Sequence, residues 1–296
     1  MLHPITFSFP EEKVISEIPV KTKLISSLIP GKLDTYIYKN EMDYYNEYRQ
    51  SVFALTTKKA GWDCMRHYEI IANGCIPYFP DIEQCPPNTM ALLPKDLLKE
   101  GNSLYNKYKN IQIADLSHTD IECCKELSIK LLTYMRNHLT TSKMAKYILN
   151  PVKKLVSSVL YLSGDSSPDY LRCITLHGFK TVFGSRCHDY PKVPHIYKSS
   201  TINYSQLYGK GITYTNLLEP DMRDDLLDKR LEEDISNKKY DIIIYGSYHR
   251  GMPYYNVVSK VYPASDIILL CGNDIHNCDY INWINRGHHI FIRELQ

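Results

Sequence analysis

The chain has 296 residues, 44% of them hydrophobic, and its 35 basic and 33 acidic side chains leave a net charge of +2 at pH 7. That length suits two domains of roughly 150 residues each, with enough apolar material for real cores, so general disorder is excluded. The near-balance of charge supplies no global field to draw the protein onto nucleic acid or an anionic membrane, and any anion site has to be local.

Nine cysteines, an odd number, lie scattered from Cys64 to Cys278 without the dense, even spacing of a secreted disulfide scaffold, and read as reduced thiols. The cluster His276-Asn277-Cys278 lacks a second ligand pair at finger-like spacing, so no structural zinc is expected. The opening MLHPITFSFPEEKVIS has no basic region ahead of a long apolar run. No stretch approaches the roughly 20 residues that span a bilayer, which predicts a cytoplasmic protein without a membrane span.

In chain order, the pattern begins with a polar helix around 41–50, an apolar strand 52–55, a helix 63–73 and a strand 75–79, a βαβ rhythm. Gly74 stands where a left-handed helix cap is wanted. Residues 119–148 read as one long helix, with Leu127, Leu131, Tyr134 and Leu139 recurring on one stripe. Asn150-Pro151 ends it, and the domain boundary is placed there, between residues 1–150 and 151–296. A second Rossmann-like unit follows: a buried strand 158–162, the turn Gly164-Asp165-Ser166-Ser167-Pro168, and a helix from Asp169. Its further strands are 241–245, 266–271 and 289–292, apolar runs of the kind buried on both faces of a parallel sheet. The charge-rich segment 224–239, with Leu226, Leu227, Leu231 and Ile235 at helical spacing, reads as a covering surface helix.

The stretch from Thr56 to Pro77 carries the most chemistry, because it places a basic loop after a strand and before a helix. Asp63 is a candidate N-cap; beyond it Cys64, Tyr68 and Ile71 form one stripe, and Arg66, Glu69 and Asn73 another. A helix N-terminus offers free N–H groups and about half a positive charge, which suits a pyrophosphate, with Lys58, Lys59 and Arg66 adding full charges. Glu69, one turn deeper, is placed to accept hydrogen bonds from ribose hydroxyls. The same spacing also suits a plain surface ion pair worth less than about 1 kcal/mol, with the two lysines in a solvated turn.

Over about residues 51–98, this stretch resembles GT-B glycosyltransferases of the exostosin-like kind and is similar to the viral sugar transferases that giant viruses encode. The resemblance rests on Arg66-His67-Tyr68-Glu69, then Gly74-Cys75-Ile76-Pro77, then Asp81 and Pro94-Lys95. It implies an α/β fold of two Rossmann-like domains, with 1–150 binding a nucleotide-sugar donor and 151–296 a glycan or other hydroxyl acceptor. Because the donor motif comes first, the two halves stand in permuted order. The donor-binding set is then Lys58, Lys59, Gly61, Asp63, Arg66, Glu69 and Gly74, with Glu69 toward the ribose and Gly61, Asp63 and Arg66 toward the diphosphate. Such transferases stabilise the leaving diphosphate without a metal, so the expected activity is hexosyl or pentosyl transfer with no obligatory cofactor.

Two loops of the second half offer a base for the acceptor hydroxyl: Gly246-Ser247-Tyr248-His249-Arg250-Gly251, and Gly164-Asp165. His249 titrates near neutrality and Asp165 is the carboxylate alternative. Asp274, His276 and Asp279 form a third cluster, whereas His288-His289 mark a turn before a strand. Two other readings stand beside the transferase. One is a nucleotide- or carbohydrate-binding protein without chemistry; the other is a methyltransferase, from the single glycine turn after the 159–162 strand.

Overall fold

A computed structural model describes residues 1–296 and arranges them around two all-parallel sheets. In the smaller sheet, β2 (Lys23–Ile25), β3 (Ser51–Leu55) and β4 (Ile76–Tyr78) lie side by side in chain order. α1 (Glu41–Gln50) and α2 (Met65–Ala72) make the crossovers. α1 has the bounds that its polar pattern predicts, and Asn40 starts it by accepting the Asp43 N–H. Gly74 adopts the left-handed φ of +67° expected after α2. α3 (Lys95–Tyr108) and α4 (His118–His138) pack on β4.

The larger sheet contains β1 (Leu2–Pro4), β5 (Val159–Leu162), β6 (Cys187–Tyr190), β7 (Ile242–Tyr245), β8 (Ile267–Cys271) and β9 (His289–Ile292). Its spatial order is β1-β9-β8-β7-β5-β6. The last five strands alone give the 2-1-3-4-5 order of a doubly wound sheet, so the architecture is Rossmann-like α/β. β1, from the opposite end of the sequence, completes the free side of β9.

β5, β7, β8 and β9 are buried at every position, because helices cover both faces. α5 (Thr141–Leu149) and α6 (Tyr170–Phe183) lie on one face; α7 (Leu231–Ser236), α8 (Tyr255–Val261) and α9 (Ile281–Asn285) lie on the other. The core beneath α5 and α6 continues without interruption into the first half, through Leu127, Tyr68 and Phe53. No helix is long and apolar enough to cross a membrane.

Three expectations need correction. The single helix over 119–148 is broken at Leu139-Thr140, because Phe9 pairs with the backbone there: its N–H donates to Leu139 and its carbonyl accepts from Thr141. Glu11 then serves the new helix start, accepting from the Thr141 hydroxyl at 2.7 Å and the Ser142 N–H at 2.8 Å. In the 224–239 segment only Leu231–Ser236 is α-helical; Leu227, Leu231 and Ile235 are buried, but Leu226 points to solvent. Finally, Cys271 and Cys278 are joined in a disulfide, while the other seven cysteines are free.

α5 and α6 approach so closely that a Cβ on Gly178 would overlap the carbonyl of Thr141. Backbone cannot yield as a flexible side chain can. Gly178→Ala is therefore expected to destabilise the fold by about 2 kcal/mol in urea unfolding; an unchanged midpoint would show that the two helices are free to part.

Candidate functional site

α6 leaves the end of β5 toward one face of the larger sheet, and α8 leaves the end of β7 toward the other. This is the topological switch point, where a crevice opens beyond the strand ends. The loops 163–169, 246–250 and 272–274 form its floor, and the β3–α2 loop of the first half forms its opposite wall. The resulting arm encloses about 470 Å³ and includes Asp169, His249, Arg250 and Asp274. It shares Lys59, Cys64, Met65, Tyr170 and Tyr208 as lining with an adjacent second arm of about 420 Å³. Tyr36, Tyr38 and Tyr44 of the first half, together with Arg66 and Glu69 of α2, line that second arm.

Arg66 and Glu69 of α2 thus face a cavity, whereas Asn73 of the same stripe is buried against Arg49 and the Glu69 carbonyl, and Cys64 of the other stripe lines both arms. The Arg66 Nε donates to the Tyr36 hydroxyl at 3.1 Å, and its Nη1 is buried without any partner. Glu69 is buried and accepts from the Tyr44 hydroxyl at 2.7 Å and the Thr213 hydroxyl at 2.6 Å. Burial raises its pKa, against those two hydrogen bonds and the charge of Arg66. Lys59 lies 6.0 Å from the Tyr208 ring centre and borders both arms. Lys58 instead sits 5.3 Å over Trp62 and lines neither. Gly74 is at the far end of α2, against Ile15 and Ile18, away from the cleft.

The start of α2 departs from expectation. Cys64, not Asp63, is the N-cap, and it makes no capping hydrogen bond. Asp63 is turned inward, accepting the Phe7 N–H at 2.7 Å and the Tyr68 hydroxyl at 2.8 Å. Burial pushes its carboxyl up to about 7, although Arg293 pulls the other way. The amide of Asp63, one of the residues expected at the diphosphate, donates to the Glu294 carboxylate at 3.0 Å, as does that of Trp62 beside it. Gly61 is a glycine because a Cβ there would strike that carboxylate. With an internal anion in the loop, positive charge toward the cleft comes from side chains instead of free amides.

Among the second-half candidates, Asp165 is already engaged. It accepts from the Ser167 N–H at 2.9 Å and hydroxyl at 2.6 Å, and pairs with Arg172 at 3.2 Å and Arg250 at 3.8 Å. Desolvation would raise its pKa, but Ser167 and Arg172 outweigh this and hold it below the usual carboxylate value. Those contacts shape the loop and leave a poor base. His249 is half-buried in the strand-end arm, and its Nδ1 is buried with no hydrogen-bond partner. Burial lowers its pKa, with Asp169 opposing, so the ring is neutral at pH 7. Asp169 caps α6 through the Arg172 N–H and also holds the Ser247 hydroxyl at 2.8 Å and Arg250 at 3.1 Å.

The third cluster is divided among separate partners: Asp274 pairs with Arg293, His276 contacts the Glu294 carbonyl, and Asp279 accepts from Asn282. Its loop is tethered by the Cys271–Cys278 bond. The tyrosines and the Arg293-Glu294 pair were not singled out from sequence. The one available signal was two opposite charges directly after the apolar run 289–292. No protein-family model, curated protein or solved structure matches the chain.

Proposed function

We propose that the cleft binds a nucleotide-diphosphate sugar and transfers its sugar to a hydroxyl acceptor, in a GT-B-like arrangement of two halves. The observation that carries this reading is the unpartnered Nη1 of Arg66, on the helix face of Glu69, at a tyrosine-lined arm that shares a wall with the strand-end arm holding His249. Tyrosine rings suit a flat nucleobase. Glu69 has lone pairs left for ribose hydroxyls after its two internal hydrogen bonds. Arg66 and Lys59 lie where a diphosphate would bridge the arms, and a charge-assisted bond to Nη1 would satisfy a donor that is otherwise orphaned.

In the reaction the acceptor oxygen bonds to the anomeric carbon and gives its proton to the His249 imidazole. The bond from that carbon to the diphosphate breaks, and its electron pair stays on the diphosphate, where Lys59 and Arg66 offset the charge. Asp165 takes no part in the proton transfer; it positions the 163–169 loop through Arg172 and Arg250.

The reading is tested by thermal stability against UDP-, GDP-, dTDP- and CMP-sugars. A ligand at 100 times its dissociation constant adds about 2.7 kcal/mol to the folded state. One nucleotide family is expected to stabilise the wild type and to lose that effect in Arg66→Ala and Glu69→Ala, while His249→Gln keeps binding and loses turnover. Absence of any stabilisation sinks the proposal, and binding without turnover in the wild type leaves a binding protein.

A further inference from the structure

Between β6 and α7 the chain leaves the larger sheet, crosses to the first half and returns. Residues 207–213 of this crossing lie along the tyrosine arm, which Leu207, Tyr208, Lys210 and Ile212 line. Polar attachments hold the outer part of this strap, where Tyr208, Gly209 and Lys210 are exposed, whereas Gly211 and Thr213 are buried and Ile212 packs on the core to anchor its other end. The Lys210 ammonium donates to the backbone carbonyls of Tyr36 at 3.0 Å and Tyr38 at 2.9 Å, across the mouth of the arm. At the other end, the Thr213 N–H donates to Glu41 at 2.7 Å and its hydroxyl to Glu69 at 2.6 Å.

The backbone between these attachments is wound in an uncommon way. Gly209, Lys210, Gly211 and Thr213 have φ of +57°, +55°, +68° and +75°. For a β-branched residue such as Thr213 that region is a genuine outlier, one that persists only while its surroundings enforce it. Here the enforcing groups are Glu41 and Glu69, both in the first half. A Cβ on Gly209 would overlap the Tyr170 hydroxyl, so the strap rests directly on a ring shared by both arms.

We infer that residues 207–213 form a lid over the tyrosine arm, latched by Lys210 on the Tyr36 and Tyr38 carbonyls, which lifts to let a ligand in or out. The inference rests on the reading of that arm as a ligand site, but not on which ligand occupies it. Its seat on Glu69 couples the two: a ligand that competes for that carboxylate loosens Thr213, and one that shares it keeps the lid down.

Cys64 lines both arms and is a free, half-buried thiol. Its rate of maleimide labelling, resolved by peptide mass, reports the opening of the lid with no nucleotide present. Cys123 is exposed and Cys85 half-buried, and neither lines the cleft, so both serve as internal references. In the wild type, Cys64 is expected to label more slowly than Cys123. Lys210→Met is expected to raise the Cys64 rate about tenfold and to leave Cys85 and Cys123 unchanged. An unchanged Cys64 rate, or an equal rise at Cys85 from general loosening, overturns the lid. Because nucleotide sugars play no part in the labelling, their failure to stabilise the protein would count against the donor reading alone.

Discussion

Replacing Arg293 with methionine is expected to destabilise the protein by about 3–5 kcal/mol, the usual cost of removing one partner from a buried ionic network. Arg293 is fully buried, 4.6 Å from the Phe7 ring centre, and its guanidinium reaches three separate stretches of chain. It donates to the Gly272 carbonyl at 3.2 Å and 3.1 Å, to the Asp63 carbonyl, and to the carboxylates of Asp274 and, at 3.1 Å, Glu294. The β8 loop, the β3–α2 loop and the sheet strand β9 are thereby fastened to one side chain. Methionine keeps much of the apolar stem but supplies no donor. Asp274 is exposed enough to turn to water, but the buried Glu294 carboxylate and the Asp63 carbonyl are not. Lysine keeps the charge yet cannot reproduce the fork, so Arg293→Lys should recover only part of the loss. Urea unfolding at pH 7 measures both variants; an Arg293→Met protein as stable as the wild type would mean that the two loops are held by something else.

The second large effect concerns pH, and it is hidden in the wild type. His67 is fully buried, with Nδ1 2.9 Å from the Thr56 hydroxyl and Nε2 2.8 Å from the Trp62 carbonyl. A carbonyl only accepts, so Nε2 carries the proton and Nδ1 receives the hydroxyl's. Burial drives the pKa down to about 3, with the Trp62 carbonyl opposing. Between that value and 6.5 the unfolded chain holds a proton that the folded one lacks, so acid removes roughly 5 kcal/mol of stability across the window. Asp63 works in the opposite sense. Its carboxyl is pushed up to about 7 from 3.8. Between these the folded chain holds the extra proton, and a rise in pH removes a similar amount, roughly 4 kcal/mol.

The two groups stand four residues apart in sequence and nearly cancel from about pH 4 to 6.5. Separating them should expose each slope. Relative to the wild type, His67→Gln is expected to lose stability as pH rises through this range, and Asp63→Asn to lose it as pH falls. Urea midpoints at half-unit steps read the difference. Parallel curves for all three proteins would show that neither group is buried in the state assigned here.

Four strands of the larger sheet, β5, β7, β8 and β9, were legible because an apolar run such as 241–245 has to be covered on both sides, and that requirement is local; the edge strands β1 and β6, short and not buried throughout, were not. α1 was legible for a similar reason, since Asn40 and the first-turn acids declare its start. The α4–α5 break was not, because it depends on Phe9, whose backbone reaches Leu139 and Thr141 from far away in sequence. That Arg66 and Glu69 share one cavity wall was legible because both lie on one helix stripe. The diphosphate end at Asp63 was misjudged because its occupant, Glu294, follows it by more than 200 residues, and a carboxylate in the right place fills an anion site as well as a ligand does. Apart from the β3–α2 loop and α2, the tyrosine arm draws its walls from 31–44, 170 and 207–212, three stretches with no shared periodicity. A residue count of 25 tyrosines pointed nowhere in particular.

The pairing of β1 with β9 joins Leu2 to Ile290 and Pro4 to Ile292. Synthesis runs in one direction, so β1 must wait for a partner made after both the smaller sheet and the other strands of the larger one. During that interval β1 has unpaired backbone groups and no sheet to join, and the edges of the growing sheet stay open to whatever strand arrives. The brevity of β1, three residues with Pro4 among them, makes it a weak competitor for the wrong edge. Its arrival is therefore a closing step: it seals a sheet that the rest of the chain has already built, and it draws the following segment, through Phe7 and Phe9, into the seam between the two halves.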